Sequence, residues 1–165
     1  MPLHPQAQAV IDESAWSDLD PDKVGIGELR RIMNAHLIEL AGSGPVLPKV
    51  FDVIIAAPSA PIPVRVYKPV VGRERLPVFI YFHSGGYSVY DIDTADAQCR
   101  TIAKTANCIV VSVGYRLAPE APFPAAVDDA WAAVQWVATD PEVLRADVRR
   151  AAVGGESCGG TLATV

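Results

Sequence analysis

Apolar residues recur every three or four positions between residues 24 and 41, and the charged residues lie mostly on the opposite side of that period. This spacing predicts an amphipathic α-helix over 24–41. A shorter helix is predicted over 6–15. Residues 42–45 read Gly-Ser-Gly-Pro, which cannot continue a helix, so they predict a boundary between an N-terminal helical segment, residues 1–44, and a second part, residues 45–165.

From residue 50 onward the apolar residues form short runs bounded by Pro and Gly, as is typical of buried β-strands. Helical patterns separate the later runs: Asp93 or Thr94 is predicted to cap the first, Pro124 to open the second, and Pro141 to begin a short third. The order of elements predicts an α/β fold whose later strands are parallel and covered by helices on both faces. The predicted strands are 50–56, 63–67, 78–82, 108–114 and 150–153, and the two main helices end near 105 and 138.

The composition narrows the range of partners. The chain of 165 residues has 14 Lys and Arg against 19 Asp and Glu, a net charge of −5, and no basic run, which argues against nucleic acid and against an anionic membrane surface. The N-terminus has no basic stretch followed by an apolar run, so a cytoplasmic location is expected.

The cysteines are odd in number and irregularly spaced, at Cys99, Cys108 and Cys158. This spacing predicts reduced thiols, and no metal or organic cofactor is implied.

The strongest chemical signal is the motif Gly155-Glu156-Ser157-Cys158-Gly159, which follows an apolar run and precedes a helical pattern. A serine nucleophile must project from a sharp strand-to-helix turn, and glycine is needed where a side chain would collide with neighbouring backbone. Ser157 is therefore the candidate nucleophile. Gly155 and Gly159 are its small neighbours, and the Cys158 N–H is a candidate oxyanion donor. The alternative is a plain tight connection, or a phosphate cradle at a helix N-terminus.

A second glycine turn follows the apolar run 78–82 and reads His-Ser-Gly-Gly-Tyr over 83–87. An oxyanion hole needs backbone N–H donors free of side-chain obstruction, so Gly85 and Gly86 are candidate donors. The alternative is a Gly-Gly turn with a structural histidine. Both turns leave the carboxyl ends of predicted strands, where open α/β sheets place their sites, and this favours one shared site.

Together these motifs resemble the hormone-sensitive-lipase-like (bacterial family IV) branch of the α/β-hydrolase carboxylesterases. The resemblance extends over residues 50–165, and residues 1–44 are similar to that family's N-terminal cap helices. It implies an α/β-hydrolase fold with a mostly parallel sheet, incomplete because the later strands are absent, and it assigns residues 45–165 to the N-terminal part of the catalytic domain. The blocks that carry the resemblance are 83–87, 93–100, 111–129 and 155–160.

By this resemblance Ser157 matches the nucleophile of the family, and Gly85, Gly86 and the Cys158 amide match its oxyanion donors. His83 matches the motif histidine of the oxyanion loop. In this family that histidine shapes the loop and is not the general base, so the resemblance implies a supporting role for His83.

The block over 115–129 is expected to be structural, because its prolines fix a loop between a strand and a helix, and Arg116 and Glu120 are predicted to pair within it. Two residues depart from the family's pattern. Ser84 stands where the family has a glycine, but it leaves both candidate donors in place. Cys158 stands where the family has an alanine, which puts a thiol beside the candidate nucleophile.

The remaining members of a Ser-Asp-His triad are not found in the chain. In this fold the acid and the histidine follow the serine along the sequence, but His4, His36 and His83 all precede Ser157. A serine without an adjacent base is a poor nucleophile. The 165-residue chain is therefore expected to be weakly active or inactive, to be a truncated product or partial sequence, and to self-associate through the exposed edge of its last strand.

The complete protein is expected to hydrolyse small acyl esters through an acyl-enzyme intermediate. Two alternatives stay open. The first is a non-catalytic homologue that binds a small ligand, similar to the plant hormone receptors that resemble the same family and keep the pocket without the base. The second is an amidase or arylformamidase, since related enzymes use a similar glycine loop ahead of the same elbow.

Overall fold

Among the described residues, two helices precede the first strand. The computed structural model describes residues 2–13, 23–72, 75–139 and 141–165. Helix α1 spans Pro5–Glu13, and the last two residues of the helix predicted over 6–15 lie outside the described residues. Helix α2 spans Ile26–Ala41, which confirms the amphipathic helix. It ends where Gly42, at a φ of 65°, donates its N–H to the Ile38 carbonyl.

All five predicted strands form, and they make one sheet in the order β1-β2-β4-β3-β5. β2 pairs antiparallel with β1 and with β4, while β3 pairs in parallel with β4 and with β5. The prediction that the later strands are parallel is therefore confirmed, and β5 lies at an edge of the sheet. The strands are β1 Lys49–Ile55, β2 Ile62–Lys68, β3 Leu76–Phe82, β4 Ile109–Val113 and β5 Ala146–Gly155.

The helices follow the sequence pattern, with one error at a helix start. Helix α3 begins after Ala95, and no side chain caps it, so the predicted cap by Asp93 or Thr94 is wrong. The Thr94 hydroxyl instead bonds to the backbone N–H and carbonyl of Asp91, which stabilises the preceding turn. None of the described helices is both long and apolar enough to cross a bilayer. The later helices are α3 Asp96–Ala106, α4 Ala125–Thr139, α5 Pro141–Leu144 and α6 Cys158–Leu162.

Apolar side chains cover both faces of the sheet, as a doubly covered α/β sheet requires. On one face, strand residues such as Ile80 and Val111 pack with α4, α5 and α6 in a single cluster. On the other face, Val110 and Tyr67 pack against α3. Every residue of β4 is buried, because this strand has a neighbour on each side and a helix layer on each face.

The predicted pair between Arg116 and Glu120 does not form. Arg116 directs its guanidinium at Asp129, at 2.8 Å, and this carboxylate has no solvent exposure. A buried carboxylate has to be paired with a cation, and Arg116 is placed beside it where the chain leaves β4. Glu120 lies on the exposed side of the same loop and pairs with Arg30 of α2 at 2.6 Å.

Candidate active site

Ser157 lies at the sharp turn between β5 and α6, as the motif predicts. Its φ is 53° and its ψ is −120°, a conformation that residues with a side chain rarely adopt. The turn is fixed on both sides, since the Glu156 N–H donates to the Phe82 carbonyl and the Gly160 N–H donates to the Ser157 carbonyl. Such strain costs about 1–3 kcal/mol and persists only where the surrounding structure enforces it.

The two glycines beside Ser157 are required by close backbone contacts. A Cβ atom on Gly155 would lie 2.5 Å from the Gly159 backbone and would also collide with the Phe82 carbonyl oxygen. A Cβ atom on Gly159 would lie 2.6 Å from the His83 carbonyl oxygen and would collide with the same Phe82 oxygen. Small residues are therefore required at both positions, as predicted, because the neighbouring atoms belong to the backbone and cannot move aside as a side chain could.

The second glycine turn begins where β3 ends at Phe82. Gly85 has a φ of 112°, and a Cβ atom there would lie 2.7 Å from the Val89 backbone. Gly86 has a φ of 58°, yet a Cβ atom there would meet nothing within 4 Å. The Gly85 carbonyl accepts the N–H groups of Ser88 and Val89, both at 3.0 Å, which closes the turn.

The structure brings the two turns together. β3 and β5 are parallel neighbours, and Phe82 at the end of β3 lies in register with Gly155 at the end of β5. The backbone of Gly159 then lies directly against the carbonyls of Phe82 and His83. The prediction that both turns share the carboxyl edge of the sheet is confirmed.

His83 is a buried residue that supports the loop. It is 2% exposed, and its Nδ1 lies 2.7 Å from the Ser84 carbonyl oxygen. Burial lowers the pKa of its imidazole below the ordinary value, so the ring is neutral at pH 7. Within the described residues the Ser157 hydroxyl forms no hydrogen bond, and the two turns alone therefore do not supply a base for it.

Tyr115 contacts both turns, and the sequence reasoning missed it. Its ring stacks on His83, with centroids 4.2 Å apart and planes 12° from parallel. Its hydroxyl donates to the His83 carbonyl at 2.8 Å and lies 3.6 Å from the Cys158 Sγ. The one available signal in the sequence is that Tyr115 follows a buried strand that ends at the same sheet edge, whereas the block around it is expected to be structural.

Helix α2 also holds the loop, through two residues one turn apart. Arg30 donates to the carbonyls of Ser88, at 2.7 Å, and Ala118, at 2.8 Å, in addition to its pair with Glu120. The Asn34 side-chain oxygen accepts the N–H of Tyr90. Nothing in the sequence pattern distinguishes Arg30 from its charged neighbours, so this contact could not be predicted.

An apolar cavity of about 350 Å³ lies beside Gly86. Gly86 and Tyr87 form one side of it, and Thr161 and Leu162 of α6 lie on another. Because α6 begins directly after Ser157, the cavity lies between the glycine loop and the helix that follows the candidate nucleophile. Its walls are mainly apolar, as is usual for sites that bind small organic groups.

No group of three or more His, Cys, Asp and Glu side chains is arranged to hold a metal ion within the described ranges. Cys99, Cys108 and Cys158 are all buried and free of disulfides. Burial raises the pKa of the Cys99 thiol to about 12, so this thiol stays protonated at neutral pH.

The comparisons with known proteins agree with this geometry. A sequence profile of the alpha/beta hydrolase fold matches residues 79–165. Esterase LipI of Mycobacterium tuberculosis is 50% identical over 119 residues, which are 71% of this chain and 37% of that protein. The arylesterase of Saccharolobus solfataricus is 32% identical over 163 residues, which cover 98% of this chain and 53% of that protein. A solved structure of a hyperthermophilic esterase from Pyrobaculum calidifontis has a TM-score of 0.86 and 38% identity, over 99% of this chain and 52% of that one.

These relatives are longer than the chain, which matches 37%, 53% and 52% of their respective lengths. The matched region includes both glycine turns and the strands that position them, since the profile runs from β3 to the last residue. The profile covers more than half of the 165 residues, and the relatives are named as esterases. The chain therefore belongs to the α/β-hydrolase fold family, in its hormone-sensitive-lipase-like branch.

Proposed function

We propose that these residues form the nucleophile and oxyanion half of a serine carboxylester hydrolase. Ser157 attacks the carbonyl carbon of a small acyl ester to give an acyl-enzyme, and the N–H groups of Gly85, Gly86 and Cys158 stabilise the oxyanion that develops. The observation that carries the proposal is the strained backbone of Ser157, because a φ of 53° presents a single side chain at the junction of a strand and a helix. The esterase names of the relatives support the same reaction.

The cavity beside Gly86 supports a small substrate. Its volume of about 350 Å³ is enough for a short acyl or alcohol group. A Cβ atom built on Gly86 would meet nothing within 4 Å, which supports room for a substrate group beside this residue. The apolar wall formed by Leu162 and Val127 favours a hydrocarbon group over a charged one.

We further propose that residues 1–44 form a cap over the site. The contacts of Arg30 and Asn34 with the segment 88–91 support this division, since they attach α2 to the loop that carries the oxyanion donors. A cap attached at this point restricts the entry of water and of large alcohol groups, which assists an acyl-enzyme mechanism.

We infer that the general base is a group outside the described residues. The hydroxyl of Ser157 forms no hydrogen bond among them, and His83 has its Nδ1 directed at a carbonyl oxygen. A serine hydroxyl needs an adjacent base to react at neutral pH. The 165 residues taken alone are therefore expected to turn over esters slowly, by the action of the oxyanion donors and of binding.

The test is hydrolysis of a short-chain p-nitrophenyl ester by the intact gene product that contains these residues, beside its Ser157→Ala variant. We expect rapid turnover that is lost in the variant, by at least about 10³-fold, because loss of a serine nucleophile removes most of the acceleration. The 165-residue chain, assayed in parallel, is expected to be slow with or without the substitution.

Other outcomes select the alternatives. Equal rates in the intact product and in Ser157→Ala would reject a serine hydrolase and favour a ligand-binding protein. Preferential turnover of an N-formyl arylamine over the matched ester would favour an amidase. Fast hydrolysis by the 165-residue chain that depends on Ser157 would place the base among His4, His36 and His83.

A further inference from the structure

Oxyanion donors work only if their N–H bonds point toward the substrate. In a trans peptide the carbonyl of one residue and the N–H of the next point in opposite directions. The direction of the Gly85 N–H is thus set by the Ser84 carbonyl, and that of the Gly86 N–H by the Gly85 carbonyl. Whatever holds these two carbonyls in place also aims the two donors.

Each of the two carbonyls has an identified partner. The Gly85 carbonyl accepts from the N–H groups of Ser88 and Val89. The Ser84 carbonyl lies 2.7 Å from His83 Nδ1, and since a carbonyl can only accept, the proton of the neutral imidazole is on Nδ1. The direction of the Gly85 N–H therefore depends on where the His83 ring lies.

Tyr115 fixes that ring from the next strand. It stacks on the imidazole at 4.2 Å, and its hydroxyl donates to the carbonyl of His83 itself at 2.8 Å. The same hydroxyl lies 3.3 Å from His83 Nδ1, 3.4 Å from the Ser84 carbonyl oxygen and 3.6 Å from the Cys158 Sγ, so it is in contact with both turns. Tyr115 is buried, and this burial raises the pKa of its phenol, which keeps the hydroxyl protonated as a donor.

We propose that Tyr115 is a positioning residue of the oxyanion hole: it holds the His83 ring, whose Nδ1–H holds the Ser84 carbonyl inward and thereby aims the Gly85 N–H at the reacting carbonyl oxygen. The inference rests on the proposed function, because it presumes that Gly85 is an oxyanion donor. It extends that function by giving a role in the site to a residue that is neither the proposed nucleophile nor a proposed oxyanion donor.

Activity provides the first test, with a matched control. Tyr115→Phe removes the hydroxyl but keeps the stacked ring. Tyr67→Phe is the control, since Tyr67 is also buried and its hydroxyl also donates a hydrogen bond, to Asp96 at 3.0 Å, on the other face of the sheet. Both variants are made in the intact gene product and compared on a short-chain p-nitrophenyl ester.

We expect Tyr115→Phe to lower kcat about tenfold with KM nearly unchanged, which is less than the ~10²–10³-fold cost of deleting a donor outright. Tyr67→Phe is expected to keep the wild-type kcat. An unchanged kcat in Tyr115→Phe, or an equal loss in Tyr67→Phe, would overturn the proposal. A loss confined to KM would overturn it too, because misaimed donors weaken the transition state and not the substrate complex.

A second test does not depend on activity. The ¹⁵N chemical shifts of the His83 ring report its tautomer, and we expect the Nδ1–H form in the wild type and a mixture of tautomers in Tyr115→Phe. An Nε2–H form in the wild type would overturn the proposal without any variant, and so would a pure Nδ1–H form in Tyr115→Phe. If the ester assay shows no dependence on Ser157, the proposed function fails, while these spectra still decide whether Tyr115 positions His83.

Discussion

The turn at Ser157 and the loop at Gly85 are both glycine turns at the ends of adjacent parallel strands, but glycine is needed for different reasons in each. Around Ser157, the neighbouring backbone leaves no room for a Cβ atom at Gly155 or Gly159. In the loop, Gly85 is both crowded and left-handed, while Gly86 is left-handed with open space above it. The crowded positions hold the turn around Ser157, whereas at Gly86 only the left-handed backbone requires glycine.

The two turns also differ in what stabilises their backbone: tight packing in one, and hydrogen bonds within the loop in the other. Ser157 has a side chain, so its positive φ is strained. The close backbone packing that the two flanking glycines allow must balance this strain. Gly86 makes no such contact, and its conformation depends on the hydrogen bonds that close the loop. Substitutions at these positions should therefore have effects of very different size.

The largest effect is expected from Gly159→Ala. The added methyl group would meet the carbonyls of Phe82 and His83, so both turns would have to shift. We expect a loss of about 2–3 kcal/mol in the free energy of unfolding, the upper range for overpacking a tight site, and at least about 10²-fold lower ester hydrolysis in the intact protein, the cost of misplacing reacting groups by an ångström.

The matched control is Gly160→Ala, one residue further along α6. A Cβ atom there would lie 3.4 Å from the Gly155 carbonyl oxygen, an ordinary contact, and alanine favours a helix. We expect near-wild-type stability and activity for this variant, measured by denaturant unfolding and the ester assay. Similar losses at both glycines would contradict the packing argument.

A smaller loss of stability is expected in the loop. Gly86→Ala tests the cost of the left-handed backbone alone, and Gly85→Ala tests that cost together with a steric collision. Gly86→Ala costs only the left-handed conformation, about 1–2 kcal/mol. Gly85→Ala adds a collision with the Val89 backbone, so we expect it to cost about 1 kcal/mol or more beyond Gly86→Ala. Chemical denaturation measures both, and a Gly86 variant as unstable as the Gly85 variant would show that the space above Gly86 is not open.

The contact between α2 and the loop should contribute less. Arg30→Ala removes bonds to the carbonyls of Ser88 and Ala118 and an exposed pair with Glu120, and we expect a loss of about 1 kcal/mol. Arg31→Ala, in the same helix, removes only a surface pair with Glu28 and should destabilise the protein less than Arg30→Ala does. Equal losses in thermal unfolding would mean that Arg30 does not attach α2 to the loop.

The smallest effect is expected from pH. Burial lowers the pKa of His83 below 6.5, its ordinary value, and the weaker opposing influences of the Ser84 carbonyl and of Asp91 do not reverse this. As the pH falls through 6.5 the unfolded chain takes up a proton that the folded protein does not, so the free energy of unfolding falls. Denaturant unfolding between about pH 7 and 5 should show a steeper loss in the wild type than in His83→Gln. Parallel curves would contradict a buried neutral imidazole.

The fold and the positions of the two turns could be read from the sequence because both depend on local patterns. Short apolar runs locate the strands, and the glycines of each turn stand within a few residues of the groups they accommodate. The ion pairs were not predictable in the same way. Arg116 pairs with Asp129, and Glu120 with Arg30, across 13 and 90 residues of sequence, so their partners are set by how the elements pack.

Tyr115 illustrates the same limit at the site itself. Its contacts with His83 and Cys158 join residues separated by 32 and 43 positions, and they arise because β4, β3 and β5 end at one edge of the sheet. The sequence placed Tyr115 at the end of a strand but could not show which ring it would meet. The predicted cap of α3 is wrong for a local reason, because the Thr94 hydroxyl forms its hydrogen bonds with the backbone of Asp91.

The central claim is that the turn between β5 and α6 presents Ser157 as a nucleophile. The most direct measurement is to treat the intact gene product with a fluorophosphonate and to locate the adduct by peptide mass spectrometry. In the expected reaction the serine oxygen bonds to phosphorus and fluoride leaves, which gives one adduct per chain on Ser157 and none in Ser157→Ala. An adduct on another residue, or no adduct in the folded protein, would contradict the claim.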